Sequence, residues 1–173
     1  MDLNPAGFLS SNAIATNGVQ QVGVANATAS NTGYHAFLWS GTAASAVNLN
    51  PAGFGVSQAY GTNGLLQVGY GLGNAVSGEQ ALVWSGTATS FTDLGLLLPA
   101  AGTWTSSTAY TIDAAGNIFG FAEGTYNARF SYYAVEWSPT AVPEPATFTL
   151  LAAAGAGLLM RRKRSKNVGR RGL

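Results

Sequence analysis

The sequence predicts an all-β body followed by one C-terminal transmembrane helix. Three observations carry this. A unit of about 45 residues recurs three times with turn dipeptides inside it. No 3.6-residue apolar period appears before Pro143. After Pro143 comes an apolar run, Ala146 to Met160, closed by Arg161-Arg162-Lys163-Arg164.

The repeat can be followed segment by segment. Asp2-Leu3-Asn4-Pro5-Ala6-Gly7-Phe8 recurs as Asn48-Leu49-Asn50-Pro51-Ala52-Gly53-Phe54, and Asp93-Leu94-Gly95 opens a third, altered copy. Thr16-Asn17-Gly18 recurs as Thr62-Asn63-Gly64, and Gln21-Val22-Gly23 as Gln67-Val68-Gly69. The third unit replaces these with Asp113-Ala114-Ala115-Gly116-Asn117 and Ile118-Phe119-Gly120. Trp39, Trp84 and Trp137 end matching segments 45 and 53 residues apart, so the third unit carries an insertion. The units span about 2–47, 48–92 and 93–139.

Each unit divides into strands in a fixed order. An Ala/Ile/Tyr-rich strand leads into Asn17-Gly18 or Asn63-Gly64, expected to be type I′ hairpin turns because Asn and Gly best tolerate φ > 0. A Gln-Val-Gly strand follows, then a loop and the strand ending in Trp. Ser-Gly-Thr at Ser40 and Ser85 makes the next turn, and a strand ending in Asn-Leu or Asp-Leu closes the unit. Four strands in this length match a propeller blade, so the body is expected to be a propeller-like array of about three four-stranded repeats. Three blades are fewer than the ~4–8 that close a ring. The open sheet edges of such an array invite self-association.

The tail from 141 to 164 has three parts: Val142-Pro143-Glu144-Pro145, the apolar span 146–160, and the basic cluster. As a helix at ~1.5 Å per residue the span reaches roughly 22 Å, short of the ~30 Å hydrocarbon core. Arg and Lys side chains can snorkel to the interface and make up part of the difference. Seven of the eight bases follow Met160, and residues 165–173 continue as a basic tail on the cytoplasmic side. Residues 1 to 30 hold no base, no long apolar stretch and only Ala25-Asn26-Ala27 as a cleavage-like triplet. An N-terminal signal peptide is therefore absent from this chain, and the reading favoured is a fragment whose export signal and further repeats lie upstream.

Composition excludes several function classes. Before Pro143, Asp2, Glu79, Asp93, Asp113, Glu123 and Glu136 face Arg129 as the only base, which argues against nucleic acid as a partner. There is no cysteine, hence no disulfide and no thiolate metal site. His35 is the only histidine, and the other units hold Gln80 and Tyr133 in its place, so it is read as a polar residue at a strand start rather than a general base. Asp113 to Asn117 lacks the alternating oxygen ligands of a calcium loop and is read as a turn. The spacing of Glu79, Glu123 and Glu136 does not favour a hydrolytic carboxylate pair. No catalytic residue, metal or cofactor is assigned. The three repeated tryptophans are expected to be core. Trp104 lies outside the repeat pattern and, along with Tyr126, Tyr132 and Tyr133, is the candidate for stacking on a sugar.

Two resemblances follow from these residues. The proline-glutamate-proline entry, apolar span and basic cluster resemble the PEP-CTERM protein-sorting signal. That implies recognition by an exosortase in the inner membrane of a Gram-negative bacterium, with Pro143, Glu144 and Pro145 as the sorting motif and Arg161, Arg162, Lys163 and Arg164 as the membrane stop. Cleavage near the motif, release to the cell surface and a link to extracellular polysaccharide and biofilm are further implications. The tail from Ser165 to Leu173 is longer than such signals usually carry. The body resembles the HAF repeat through His35-Ala36-Phe37, matched by Gln80-Ala81-Leu82 and Tyr133-Ala134-Val135. The expected function is a non-enzymatic surface or extracellular-matrix protein. An exopolysaccharide-binding module is the alternative, and a propeller-type glycan-active enzyme the less favoured one.

Overall fold

The computed structural model describes residues 2–26, 33–73 and 78–139 and divides the chain into Met1–Val142 and Pro143–Leu173. The predicted helix 146–160, the sorting motif Pro143, Glu144 and Pro145, and the cluster Arg161, Arg162, Lys163 and Arg164 lie outside the described residues. Among the described residues no helix is long and apolar enough to cross a membrane.

The body is all-β, in three antiparallel sheets that follow the sequence repeat. The first holds β1 (Ser10–Thr16), β2 (Gln21–Asn26), β3 (Tyr34–Trp39) and β4 (Val47–Asn48) in that order. The second holds β5 (Phe54–Thr62), β6 (Gln67–Gly73), β7 (Glu79–Trp84) and β8 (Thr92–Asp93). Among the described residues, which end at Pro139, the third has three strands, β9 (Thr103–Ile112), β10 (Ile118–Tyr126) and β11 (Arg129–Trp137), where four were expected. Among the described residues the three sheets close neither a barrel nor a propeller ring.

Successive sheets stack through one recurring interface. Val22, Ala36 and Leu38 of the first sheet meet Ala59, Leu82 and Trp84 of the second, with Leu49 beside them. Val68, Ala81 and Val83 of the second meet Ala109, Ile112, Ile118 and Trp137 of the third, with Leu94 beside them. Each tryptophan thus faces the sheet before it. Trp39 has no preceding sheet among the described residues and is covered instead by Leu3 and Phe8. A buried hydrogen bond repeats across each interface: Ala36 N–H donates to Ser57 Oγ at 2.9 Å, and Ala81 N–H to Ser107 Oγ at 3.0 Å. Both serines are buried, so each hydroxyl satisfies a backbone donor that the short fourth strand does not reach.

The repeated glycine of the second strand has a steric cause. A Cβ at Gly23, Gly69 or Gly120 would lie 1.9, 1.8 or 1.9 Å from the carbonyl oxygen of Asn12, Gln58 or Thr108. The first strand of each unit crosses at that point, and its register slips there, between Ala13 and Ala15, between Ala59 and Gly61, and opposite Phe119 and Gly120. The bulge requires a neighbour without a side chain.

Two turn expectations are corrected. Asn17-Gly18 and Asn63-Gly64 do not form two-residue type I′ turns; the ladders end at Thr16–Gln21 and Thr62–Gln67, leaving four-residue loops. In these only the glycine takes positive φ, +94° at Gly18 and +96° at Gly64. The asparagine acts through its side chain: Asn17 Oδ1 accepts from the N–H groups of Val19 and Gln20, and Asn63 Oδ1 from those of Leu65 and Leu66. A two-residue turn with both residues at positive φ occurs at Asn127-Ala128, 52° and 60°, between Tyr126 and Arg129. Asp113 to Asn117 is a turn as expected, with Asp113 Oδ1 accepting from Asn117 N–H at 2.8 Å.

A paired substitution explains another difference of the third unit. Gln21 Oε1 accepts from Gly41 N–H at 2.9 Å, and Gln67 Oε1 from Gly86 N–H at 2.8 Å, fixing each Ser-Gly-Thr turn. The third unit has Ile118 for the glutamine and Pro139 for the glycine. Proline has no N–H to offer, so the side-chain acceptor has lost its purpose.

Candidate functional site

Two surface features of the body collect chemistry-bearing side chains. The first is an open cleft of about 490 Å³ between the second and third sheets. Its walls come from the start of β7 (Glu79, Gln80), Asp93 at the end of β8, Leu96 on the following 3-10 turn, and Trp104 to Ser107 on β9. The insertion in the third unit, which the repeat spacing showed, supplies the Trp104 wall.

The carboxylates of this cleft are held by the fold. Glu79 Oε2 accepts from the Thr108 hydroxyl at 2.6 Å. Asp93 Oδ1 accepts from Gly95 N–H at 2.8 Å, and Oδ2 from the Gln80 amide at 3.3 Å. Burial raises the Asp93 carboxyl above its ordinary range, and the N–H groups of Gly95 and Leu96 oppose that rise. The Gln80–Asp93 bond has a counterpart in the first sheet, where the Asn48 side-chain amide meets His35 Nδ1 at 3.1 Å. His35 thus ties β3 to β4 as Gln80 ties β7 to β8, and burial lowers its pKa, keeping the ring neutral at pH 7.

The stacking candidates Trp104 and Tyr126 are brought together, and they stack on each other. Their ring centroids are 5.8 Å apart at 24°, and Tyr133 meets both edge-on at 5.6 and 5.8 Å. Trp104 Nε1 donates to Pro99 O, and a Cβ at Gly102 would lie 2.6–2.7 Å from three indole atoms. The indole is therefore clasped, and it meets the cleft with what this clasp leaves free. Tyr132 faces away from this group, beside Glu123; hydrogen bonding to that carboxylate raises the phenol's pKa.

The second feature escaped the sequence reading. Tyr34, Tyr70, Tyr60, Tyr110, Phe121 and Tyr132 form a continuous run of side chains across all three sheets. The Tyr34 and Tyr70 hydroxyls are 2.9 Å apart, and the next centroid distances are 5.9, 5.3, 5.8 and 5.6 Å. Burial raises the Tyr60 and Tyr70 phenols; at Tyr60 the nearby Tyr110 and Glu79 add to the rise, and at Tyr70 the Tyr34 hydrogen bond does. Tyr60 and Tyr110 occupy the bulge positions of β5 and β9, equivalent to Ile14 of β1. That equivalence was the available signal. Among the described residues no group of three or more His, Asp or Glu side chains is placed to hold a metal ion.

Comparison with known proteins bears on the tail alone. Residues 141–164 match the family model of the PEP-CTERM protein-sorting motif. The chain therefore carries an exosortase-type sorting signal behind its all-β body, the mark of a protein directed through the membrane to the cell surface. No curated protein and no solved structure matches the chain.

Proposed function

We propose that this chain is a non-enzymatic protein of the cell surface or extracellular matrix, built from HAF-type repeats in a propeller-like array and delivered by its tail. The match of residues 141–164 to the sorting motif is the observation that carries the reading. The basic cluster holds the C-terminal end at the cytoplasmic face while the apolar span 146–160 enters the membrane, which leaves Pro143-Glu144-Pro145 near the outer interface for the exosortase. In the body, the acidic side chains of the cleft are engaged by Thr108, Gly95 and Gln80, which suits a structural role better than proton transfer. The test is intact mass and fractionation in an exosortase-bearing host, comparing wild type with Glu144→Ala. A shortened, surface-attached or released wild type beside a full-length, membrane-bound variant is expected. Full-length protein in both would reduce the tail to an ordinary anchor.

The cleft favours one second reading, binding of exopolysaccharide. Trp104, Glu79, Asp93, Gln80, Thr105 and Ser106 line one opening, the mixture of apolar and polar groups that a sugar ring presents in return. Trp104→Ala is expected to lower affinity for the producer's polysaccharide at least tenfold in a pull-down titration, about 1.4 kcal/mol. Undiminished binding by the folded variant would remove the cleft from this role.

A further inference from the structure

We propose that, while the tail holds the protein in the membrane, the turn-bearing end of the body lies on the lipid surface with Leu65 and Val19 in the interface. Cutting the tail then lets the body go. The inference rests on the reading that the span 146–160 enters the bilayer, and its test separates the two.

Three turns share one end of the body. They are the loops 16–21, 62–67 and 112–118, each joining the first strand of a sheet to the second. Contacts from sheet to sheet set them side by side. Gln20 Oε1 accepts from the Thr62 hydroxyl at 3.2 Å and the Gln67 amide at 3.3 Å, and the Asn63 side-chain amide donates to Asp113 O at 3.3 Å. The chain leaves the body at this same end. Trp137, the last residue of β11, pairs with Ile118, and a Cβ at Gly116 would lie 3.2 Å from Pro139 Cγ. Residues 140–145 alone separate Pro139 from the apolar run. Fully extended, the chain from Pro139 to Ala146 reaches at most about 25 Å. A span inserted from Ala146 therefore keeps the turn end close to the bilayer.

What this end exposes suits a lipid surface. Leu65 is 81% exposed and Val19, at the equivalent position, 73%. Leu65 belongs to the middle sheet, which has a described sheet on each side, so its exposure is a property of the turn position. The backbone of both tips is already satisfied: Val19 N–H donates to Asn17 Oδ1 and Leu65 N–H to Asn63 Oδ1, each at 3.1 Å. Leaving water therefore strands neither donor. Charge is sparse as well. Asp113 is the one charged residue in the three turns, and its carboxylate accepts from the Asn117 N–H and side-chain amide. Glu136, next to Trp137, is the other carboxylate at this end, whereas Glu79 and Arg129 begin β7 and β11 at the far one. Two aliphatic tips make a weak grip. It suffices while the tail keeps the contact intramolecular, and it fails once the tail is cut.

Because the chain has no cysteine, a single introduced thiol carries the only label. The full chain is reconstituted into vesicles of phosphatidylcholine and phosphatidylglycerol containing brominated lipid, which quenches a fluorophore by contact. The label is placed on Leu65→Cys or Val19→Cys. Leu9→Cys and Leu96→Cys, 65% and 82% exposed and away from the turns, are the matched controls. Ala154→Cys, inside the apolar run, reports whether the span is inserted. Quenching is expected at Ala154, and at Leu65 and Val19 several-fold above Leu9 and Leu96. Adding Val19→Asp to the Leu65 label is expected to bring it down to the level of the controls. Quenching at Ala154 with Leu65 no higher than Leu96 overturns the docking and leaves the sorting reading standing. Equal quenching at all four body positions also overturns it, since the body then has no preferred end. An unquenched Ala154 overturns both readings.

Discussion

Gly69→Ala is expected to destabilise the body by roughly 3 kcal/mol or more. The added Cβ would lie 1.8 Å from Gln58 O and 2.9 Å from Ala59 Cα. Those neighbours are backbone of β5, the strand whose Ala59 and Ser57 lock the second sheet to the first, so relief requires moving an interface rather than a rotamer. Against a typical net stability of about 5–15 kcal/mol, the loss approaches the whole margin for a domain of this size. Gly41→Ala is the control. It carries a backbone demand that Gly69 lacks, φ +80°, but has nothing within 4 Å of the added carbon, and should cost only about 1 kcal/mol. Urea midpoints measured by circular dichroism separate the two, and equal midpoints would mean that β5 and β6 do not cross so closely.

The parts of the fold legible in sequence are those enforced at every repeat. Trp39, Trp84 and Trp137 announced a core position because one packing problem is solved three times, and the repeated Gln-Val-Gly marked the second strand before its steric reason was visible. The missed features depend on what one unit does to the next. The run from Tyr34 to Tyr132 draws on six strands, and the bulges at Tyr60 and Tyr110 help turn those side chains into line. The asparagine-glycine signal named a turn correctly and its type wrongly, because the Asn17 side chain can cap two N–H groups without leaving negative φ. For the cleft, Trp104 was visible as an outlier to the repeat. Its clasp by Gly102, Tyr126 and Tyr133 was not, since these lie up to 31 residues apart and meet only across the β9, β10 and β11 ladder. The tail was the most legible part, because a sorting signal is read as a linear string of residue types.

Trp84→Ala is the second large effect expected, a loss of about 3–5 kcal/mol from an indole that is fully buried. The side chain joins Leu82 and Ala59 of its own sheet to Val22, Ala36 and Leu38 of the one before, so its removal opens a cavity in the seam that joins the two sheets. Substitution by phenylalanine separates volume from polarity. Trp84 Nε1 is buried with no hydrogen-bond partner, whereas Trp137 Nε1 donates to Leu94 O at 3.0 Å. Trp84→Phe therefore surrenders contact area and relieves an unsatisfied donor. Trp137→Phe surrenders similar area and strands a buried carbonyl, an added cost of about 1–3 kcal/mol. The expected order of stability is Trp84→Phe, then Trp137→Phe, then Trp84→Ala. If the tryptophan column were instead a platform for ligands, all three variants would keep wild-type unfolding midpoints and lose binding alone. A chain whose repeated aromatics carry the seams between sheets must lose cooperativity first, so the midpoint and slope of one unfolding curve decide between the two roles.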